Sequence, residues 1–214
     1  MAYLLTAAAT AAEYRASNGR LAADRDTEVG VLLTSVTRIV ERRQGVAPGM
    51  WNAQADSLSF TFRAIGGTRL YLRDERGLQY FLRGVASNGI DIDSERDGSF
   101  DGYQLDLADA WVVGHPRNID QFGEPFTALD ILPNVTNADP TSWADGVDVR
   151  ITSTNWGWAA VPGAAKERVI HITRELIETH FAGSAYDETQ VEAAMQSRGL
   201  MHLFEREYSH RLPV

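Results

Sequence analysis

The stretch "ITSTNWGWAAVPGAAKERVIHITREL", residues 151–176, joins two kinds of secondary structure in one short run of sequence. The residues that lead into it, 147–151, alternate between apolar and polar side chains, which predicts a strand with one buried face. Pro162 is suited to the first position of a helix, because its missing N–H would have no partner there. Apolar side chains then recur at helical spacing, at Ala165, Val169, Ile172 and Leu176. The stretch therefore predicts a protein that mixes strands and helices.

Two tryptophans flank a glycine at this join, and they admit two interpretations. Trp156 and Trp158 could stack on a sugar or a base in a binding site. Alternatively, Gly157 allows a tight bend, and the two indoles fill the space where the last strand meets the last core helix. We expect the second arrangement, a structural junction formed by Trp156, Gly157, Trp158 and Pro162.

The composition is that of a globular chain without disulfide or thiol chemistry. Its 214 residues are 44% hydrophobic and 23% charged and include no cysteine, which also excludes cysteine-ligated zinc. The sequence has no run of about 18 apolar residues that could span a membrane. Residues 1–5 lack the basic flank and long apolar stretch of a secretion signal, so we expect no secretion.

The negative charge is concentrated in the middle of the sequence. The net charge is -9, and residues 91–148 contain thirteen Asp or Glu against two arginines. Residues 1–90, in contrast, contain eleven arginines against eight acids. The acidic middle segment would repel a phosphate backbone, so we do not expect the chain to wrap tightly on nucleic acid.

Helical patterns are found at both ends of the sequence. Near the N-terminus, Thr6 is placed to cap a first helix, and Asp26 is placed to cap a second that stops before Gly45. Near the C-terminus, we expect a helix over about 162–182 and a short polar helix over 187–197.

The middle of the sequence predicts strands. Residues 58–65 alternate between apolar and polar side chains, and Gly66-Gly67 predicts a two-residue hairpin into a second strand at 68–73. Residues 114–146 contain four prolines and little alternation, so we expect an ordered loop there.

These patterns predict an α+β fold in which strands interrupt a helical core. We expect one domain over 1–182, with a helical core at 1–46 and 160–182 and a β-rich insertion at 50–156, followed by a C-terminal extension over 183–214. Large apolar side chains in that extension have little local core to join, so the extension is either disordered or docked on a partner. Those side chains are Leu200, Leu203, Phe204, Tyr208 and Leu212.

Motifs of catalysis and metal binding are weak in this sequence. His171 has Glu167 and Glu175 one helical turn away on either side, a pattern more typical of a charge-balanced helix surface than of a site. Residues 93–104 match the spacing of a calcium loop until the last position, where Gln104 stands in place of the bidentate Glu. We therefore interpret this segment as an acidic turn and assign no catalytic residue, metal or cofactor.

The order of the parts resembles that of the head–tail connector, or adaptor, proteins of tailed double-stranded DNA bacteriophages. The most telling element is the strand–Gly-Trp–Val-Pro–helix junction, matched by residues 147–176, and the resemblance covers most of residues 1–182. The other matching parts are a helix ending in "IVERRQG" (39–45), "TRLYLRDERGLQYFLRGV" (68–85) and an acidic turn, "DIDSERDG" (91–98).

The resemblance implies a non-catalytic virion protein at the neck, made in the host cytoplasm and assembled as a dodecameric ring below the portal. Such a ring extends the DNA channel without binding the genome specifically, docks on the portal through its C-terminal segment and presents its other face to a neck or tail protein. On this resemblance, the docking residues are the apolar side chains of the extension. The channel or subunit-interface acids are Asp91, Asp93, Glu95, Asp97 and Asp101.

Two other functions remain open. The chain could be a different neck ring protein, a stopper or a tail terminator, that contacts the tail rather than the portal. In a different class, it could be a small carbohydrate-binding module or enzyme that uses Trp156 and Trp158.

Overall fold

The structure is a computed structural model that describes residues 7–18, 25–54, 56–85, 89–100, 103–105, 112–116, 124–132, 140–179 and 188–200. These residues contain four helices and seven strands in two antiparallel sheets, so the predicted α+β class is confirmed. The chain divides into two compact units. The helical unit comprises residues 1–51 and 161–214, and the β unit comprises residues 52–160.

The helical unit is organised around its longest helix. The four helices are α1 (Ala11–Asn18), α2 (Asp26–Arg43), α3 (Gly163–Thr179) and α4 (Glu188–Ser197). Helix α2 contacts the other three, and its apolar stripe is buried as its 3.6-residue period predicts. None of the helices in the described residues has the length and apolar character of a membrane-spanning segment.

Helix α1 begins later than the sequence analysis predicted. Its N-cap is Thr10, whose hydroxyl accepts a bond from the Glu13 N–H at 3.1 Å, while the Glu13 carboxylate accepts one from the Thr10 N–H at 2.8 Å. This reciprocal pair is a capping box, which satisfies two N–H groups that the helix leaves unpaired. The prediction of Thr6 as the cap overlooked the glutamate three residues after Thr10, and Thr6 itself lies outside the described residues.

The C-terminal helices lie close to their predicted positions. The Pro162 carbonyl accepts the Lys166 N–H at 3.0 Å, so Pro162 immediately precedes α3 instead of occupying its first position. Helix α3 ends at Thr179, three residues before the expected end, and residues 180–187 lie outside the described residues. Helix α4 confirms the short helix expected over 187–197.

The β unit contains two sheets. The four-stranded sheet has the order β1 (Leu58–Arg63), β7 (Asp148–Ser153), β3 (Ile90–Asp93) and β4 (Tyr103–Leu105). The three-stranded sheet has the order β2 (Arg69–Tyr71), β6 (Ala128–Ile131) and β5 (Val112–His115). Strand β7 is therefore paired on both sides, with β1 and β3, and Trp156 follows shortly after its last residue, Ser153.

The predicted hairpin at Gly66-Gly67 is wrong. Strand β1 pairs with β7 and strand β2 pairs with β6, so the two glycines carry the chain from one sheet to the other. Both have positive φ, 84° and 86°, a conformation that favours glycine. The Gly67 carbonyl accepts the Trp143 N–H at 2.8 Å, which fixes this crossing.

The expected loop over 114–146 contains a strand and part of another. Strand β6 lies wholly inside that range, and the end of β5 enters it. All four residues of β6 are buried, so the strand lacks the apolar–polar alternation that marks a half-buried strand. Strand β3 is also fully buried although two of its four residues are aspartates, which explains why it was interpreted as a turn.

Candidate functional site

Trp156 is enclosed in the core of the β unit. The indole is fully buried, and its Nε1 donates to the Leu58 carbonyl at 2.9 Å. Phe60 meets the ring edge-on with centroids 4.8 Å apart, and Tyr80 meets it edge-on at 6.4 Å. Because protein atoms cover the ring, Trp156 offers no face on which a sugar or a base could stack in this structure.

The rest of the predicted junction is divided between the two units. Gly157 has a φ of 78° and donates its N–H to the Phe81 carbonyl at 2.7 Å. Trp158 is half-buried and packs edge-on against Phe81 with centroids 5.7 Å apart. Pro162 belongs to the helical unit. The junction is thus a boundary: three of its residues belong to the β unit, and the fourth lies immediately before α3.

Asp91 is used inside the subunit. It lies in strand β3 and is 6% exposed, and its Oδ2 accepts bonds from Arg150 Nη2 at 3.0 Å and Nε at 3.2 Å. The Phe100 ring centroid lies 4.4 Å from the guanidinium carbon of Arg150, a cation–π contact that completes this cluster. Its charge is balanced by Arg150, so Asp91 contributes little to an acidic surface.

Asp93 stabilises the acidic turn by hydrogen bonds to the backbone of that turn. It is 3% exposed, and its carboxylate accepts the N–H groups of Asp97 at 3.2 Å and of Gly98 at 3.0 Å. Glu95 and Asp97 are exposed, and Asp101 lies outside the described residues. Among the described residues, no three His, Asp or Glu side chains are grouped to hold a metal ion. Of the five predicted channel or interface acids, the structure presents Glu95 and Asp97 to solvent.

The C-terminal residues predicted to dock on the portal fall into two groups. Leu200 is described and is 8% exposed, so it has little surface to offer a partner in this conformation. Leu203, Phe204, Tyr208 and Leu212 lie outside the described residues.

Helix α4, which precedes these residues, is attached to α2 by ion pairs and by buried apolar side chains. Arg42 pairs with Glu188 at 3.1 Å and with Glu192 at 2.6 Å, and Arg43 pairs with Glu192 at 2.5 Å. Val191 and Met195, on the same helix, are fully buried. Within the described residues, the packed part of the helical unit therefore includes α4 and reaches Leu200.

A polar cluster on the three-stranded sheet was not predicted from the sequence. Arg69 binds Asp130 in a bidentate pair, with Nε to Oδ1 at 2.7 Å and Nη2 to Oδ2 at 2.9 Å. This hydrogen bonding raises the pKa of Arg69 above its ordinary value. His115 Nδ1 lies 3.2 Å from Arg69 Nη2 and accepts a hydrogen bond from it, because a guanidinium can only donate. Only the register of β2, β6 and β5 brings these residues together, so no sequence motif could have revealed them.

The helical unit contains a buried carboxylate with an altered pKa. Glu41, in the last turn of α2, is fully buried and accepts the N–H groups of Gly49 at 2.7 Å and of Trp51 at 3.0 Å. Burial raises the pKa of Glu41 to about 7, although the two hydrogen bonds and the charge of Arg38 act in the opposite direction. Glu41 thus holds the turn that leads out of the helical unit. His171, in contrast, is exposed on α3.

Comparison of the chain with protein-family models, with curated proteins and with solved structures gives no significant match.

Proposed function

We propose that the chain is a structural virion protein, a head-to-tail adaptor that forms a ring beneath the portal and joins the capsid to the neck. The observation that carries this proposal is the architecture. Helices that precede and follow the β unit in the sequence form one helical unit, and the β unit is inserted between them. This is the arrangement that the sequence resemblance to phage connectors implies.

The placement of the tryptophans supports a structural role over a glycan site. Trp156 is occupied by contacts within the β unit, and a binding module that used it would need an accessible indole face. The same β unit presents Glu95 and Asp97 on an exposed turn. Carboxylates of this kind, facing a channel, would repel DNA phosphates and let the genome slide past.

The C-terminal segment after Leu200 is the proposed portal contact. Leu200 is buried in the helical unit, so the docking side chains in this proposal are Leu203, Phe204, Tyr208 and Leu212. Large apolar side chains in a segment with little local core to join would gain burial by docking on a partner.

The proposal is tested by co-expression with the portal protein of the same genome. We expect the chain to form rings on the portal that are visible by electron microscopy, and truncation after Leu200 to abolish them while the circular dichroism spectrum of the remaining chain keeps its helical signal. A chain carrying Leu203→Ala and Phe204→Ala provides a second, full-length variant. Absence of any association between the intact chain and the portal would contradict the proposal.

The same system separates the alternatives. A photocrosslinker at Phe204 should capture the portal, whereas a stopper or tail terminator would be captured by a tail protein. If the isolated monomer binds a glycan and Trp156→Ala abolishes binding with the fold intact, the binding-module interpretation is correct instead.

A further inference from the structure

Strand β1 leaves one of its two edges open. It forms a border of the four-stranded sheet, beside β7, and the Ala64 N–H that follows it donates to the Val147 carbonyl at 2.9 Å. Opposite residues of an antiparallel pair alternate between hydrogen-bonded and non-hydrogen-bonded, so the backbone groups of Ser59, Thr61 and Arg63 point away from β7. All three residues are exposed, and no hydrogen bond between described residues uses their backbone N–H or C=O groups.

This open edge lacks the features that usually protect a border strand. Border strands are kept from pairing by short length, by lysine or proline, or by a bulge. Strand β1 has six residues in an unbroken register with β7, and its sequence, LSFTFR, contains neither lysine nor proline. The other border strands are shorter, with three residues in β2 and β4 and four in β5. In the part of the chain that the structure describes, the edge of β1 is therefore the one best suited to accept a further strand.

An aromatic side chain lies beside this edge. Phe60 is half-buried, and its ring centroid lies 4.7 Å from that of Tyr80 and 4.8 Å from that of Trp156. These contacts hold the ring in place, so covering its remaining surface would cost little conformational entropy. A strand that paired with β1 would bring one of its own side chains next to Phe60.

We propose that two copies of this chain pair in the free protein through their β1 edges, which join antiparallel with the two Thr61 residues facing each other on a two-fold axis. In this register Ser59 of each copy faces Arg63 of the other, and Phe60 faces Phe62. The outward N–H and C=O groups of Ser59, Thr61 and Arg63 then all find partners, because each of these pairs exchanges both of its hydrogen bonds. The two four-stranded sheets become one continuous sheet.

The sequence of β1 favours a second copy as its partner. Arg63 is the one charged residue of the strand, and the register places it opposite Ser59, so no like charges meet. The same register sets threonine against threonine and phenylalanine against phenylalanine, and both kinds of pair stabilise antiparallel strands. A second β1 also matches the full length of the edge, which the shorter border strands do not.

This pairing goes beyond the proposed function. A two-fold contact uses the same surface on both copies and closes with two of them, so it neither builds nor requires a ring. It belongs to the chain before it meets the portal.

A proline at the axis provides the first test. Sedimentation velocity of the full-length chain should show a dimer, and Thr61→Pro should convert it to a monomer with an unchanged circular dichroism spectrum. Proline is tolerated on a border strand where the lost N–H points away from the sheet, so the bonds between β1 and β7 should persist. Thr61→Val is the matched control, because it keeps the N–H and a β-branched side chain, and it should remain dimeric.

The absence of cysteine from the chain allows the register to be tested. Thr61→Cys should form an intermolecular disulfide, because Cα atoms of a hydrogen-bonded antiparallel pair lie about 5.5 Å apart, within the range of a disulfide. Ser59→Cys is the control, since Ser59 is also exposed but lies about 13 Å along the strand from its counterpart in the second copy. Ser59→Cys should therefore stay reduced alone and crosslink when it is mixed with Arg63→Cys.

Three results would overturn the inference: a monomeric intact chain, a dimer that survives Thr61→Pro, or equal disulfide yields from Thr61→Cys and Ser59→Cys. If Thr61→Pro loses its circular dichroism signal, Thr61→Lys replaces it. This variant sets two like charges face to face on the axis and should weaken the dimer by up to about fivefold. An unchanged dissociation constant would then overturn the inference.

Portal binding separates failure of this pairing from failure of the proposed function. If rings form on the portal but the free chain is a monomer, the pairing is wrong and the adaptor function stands. If Thr61→Cys forms its disulfide but the portal is never bound, the pairing stands and the adaptor function is wrong. Truncation after Leu200 should leave the dimer intact, because β1 lies outside the removed segment.

Discussion

The Trp156 side chain connects its own segment, which follows strand β7, to strand β1 and to the segment after β2. The indole touches rings from strand β1 and from the segment after β2, and it donates a hydrogen bond to the Leu58 carbonyl. Because the indole is buried, removing it would leave a cavity in the core of the β unit. The stability of the β unit should therefore depend strongly on this residue.

Replacement of Trp156 by alanine should destabilise the chain by about 3–5 kcal/mol, the usual cost of removing a buried aromatic ring. Trp158→Ala is the matched control, because Trp158 is half-buried and should cost less. Both values are measured by urea unfolding followed by circular dichroism. Equal effects of the two substitutions would show that Trp156 does not hold the core.

The pKa of Glu41 makes the stability of the helical unit depend on pH. Its folded-state pKa of about 7 lies above the ordinary value of 4.5, so the folded chain binds this proton more tightly than the unfolded chain. The resulting contribution to stability is fully present below about pH 4.5 and is lost as the pH rises through about 7.

The Glu41→Gln variant cannot titrate at this position and should lack this contribution. The free energy of unfolding of the intact chain, relative to that of the variant, should fall by on the order of 3 kcal/mol between pH 4.5 and pH 8. Urea unfolding at several pH values measures this difference. Glu167→Gln, at an exposed position on α3, controls for the loss of one charge. A constant difference between the intact chain and Glu41→Gln across this range would contradict the assignment.

At the scale of elements, the sequence predicts best those helices and strands that have one exposed side. Helix α2 and strand β1 are half-buried, so their apolar period is visible in the sequence and their positions were predicted well. Strand β6 is buried on both sides and shows no alternation, whereas β3 alternates Ile with Asp although both of its aspartates are buried. The pairing of β1 with β7, 85 or more residues apart, also leaves no local signal, which is why the Gly66-Gly67 hairpin was predicted wrongly.

The pairing of strands limits the prediction of sites for the same reason. Arg69 and Asp130 face each other only because β2 pairs with β6. Asp91 was expected at a surface because its neighbours are acidic, yet its partner Arg150 comes from a distant strand. An acidic run in a sequence reports its composition but not which of its carboxylates are already paired.

Helix α4 should be held mainly by its apolar side chains. Met195 is fully buried, so Met195→Ala should cost about 2–5 kcal/mol of local stability and expose the α4 amides to hydrogen exchange. Glu192→Gln weakens two partly exposed ion pairs and should cost no more than about 1 kcal/mol, an effect that salt reduces further. Hydrogen exchange with mass spectrometry on the two variants measures both effects. A larger loss of protection in Glu192→Gln would reverse this order.

At the scale of the whole molecule, the two ends of the β unit lie close together. The Gln54 N–H donates to the Trp156 carbonyl at 3.0 Å, which joins the entry of the unit to its exit. An inserted unit with adjacent ends can be removed without separating the two parts of the helical unit that flank it.

The β unit should therefore fold on its own. A fragment of residues 52–160 contains both sheets and the Trp156 cluster, so it should give a β-type circular dichroism spectrum and the blue-shifted fluorescence of buried tryptophan. The same fragment with Trp156→Ala is the control and should lose both signals. Conversely, replacing residues 54–156 with a short Gly/Ser linker should leave a helical chain, since the linker has only a small gap to span. A fragment that is unfolded while the linker chain is helical would mean that the β unit depends on the helical unit for its stability.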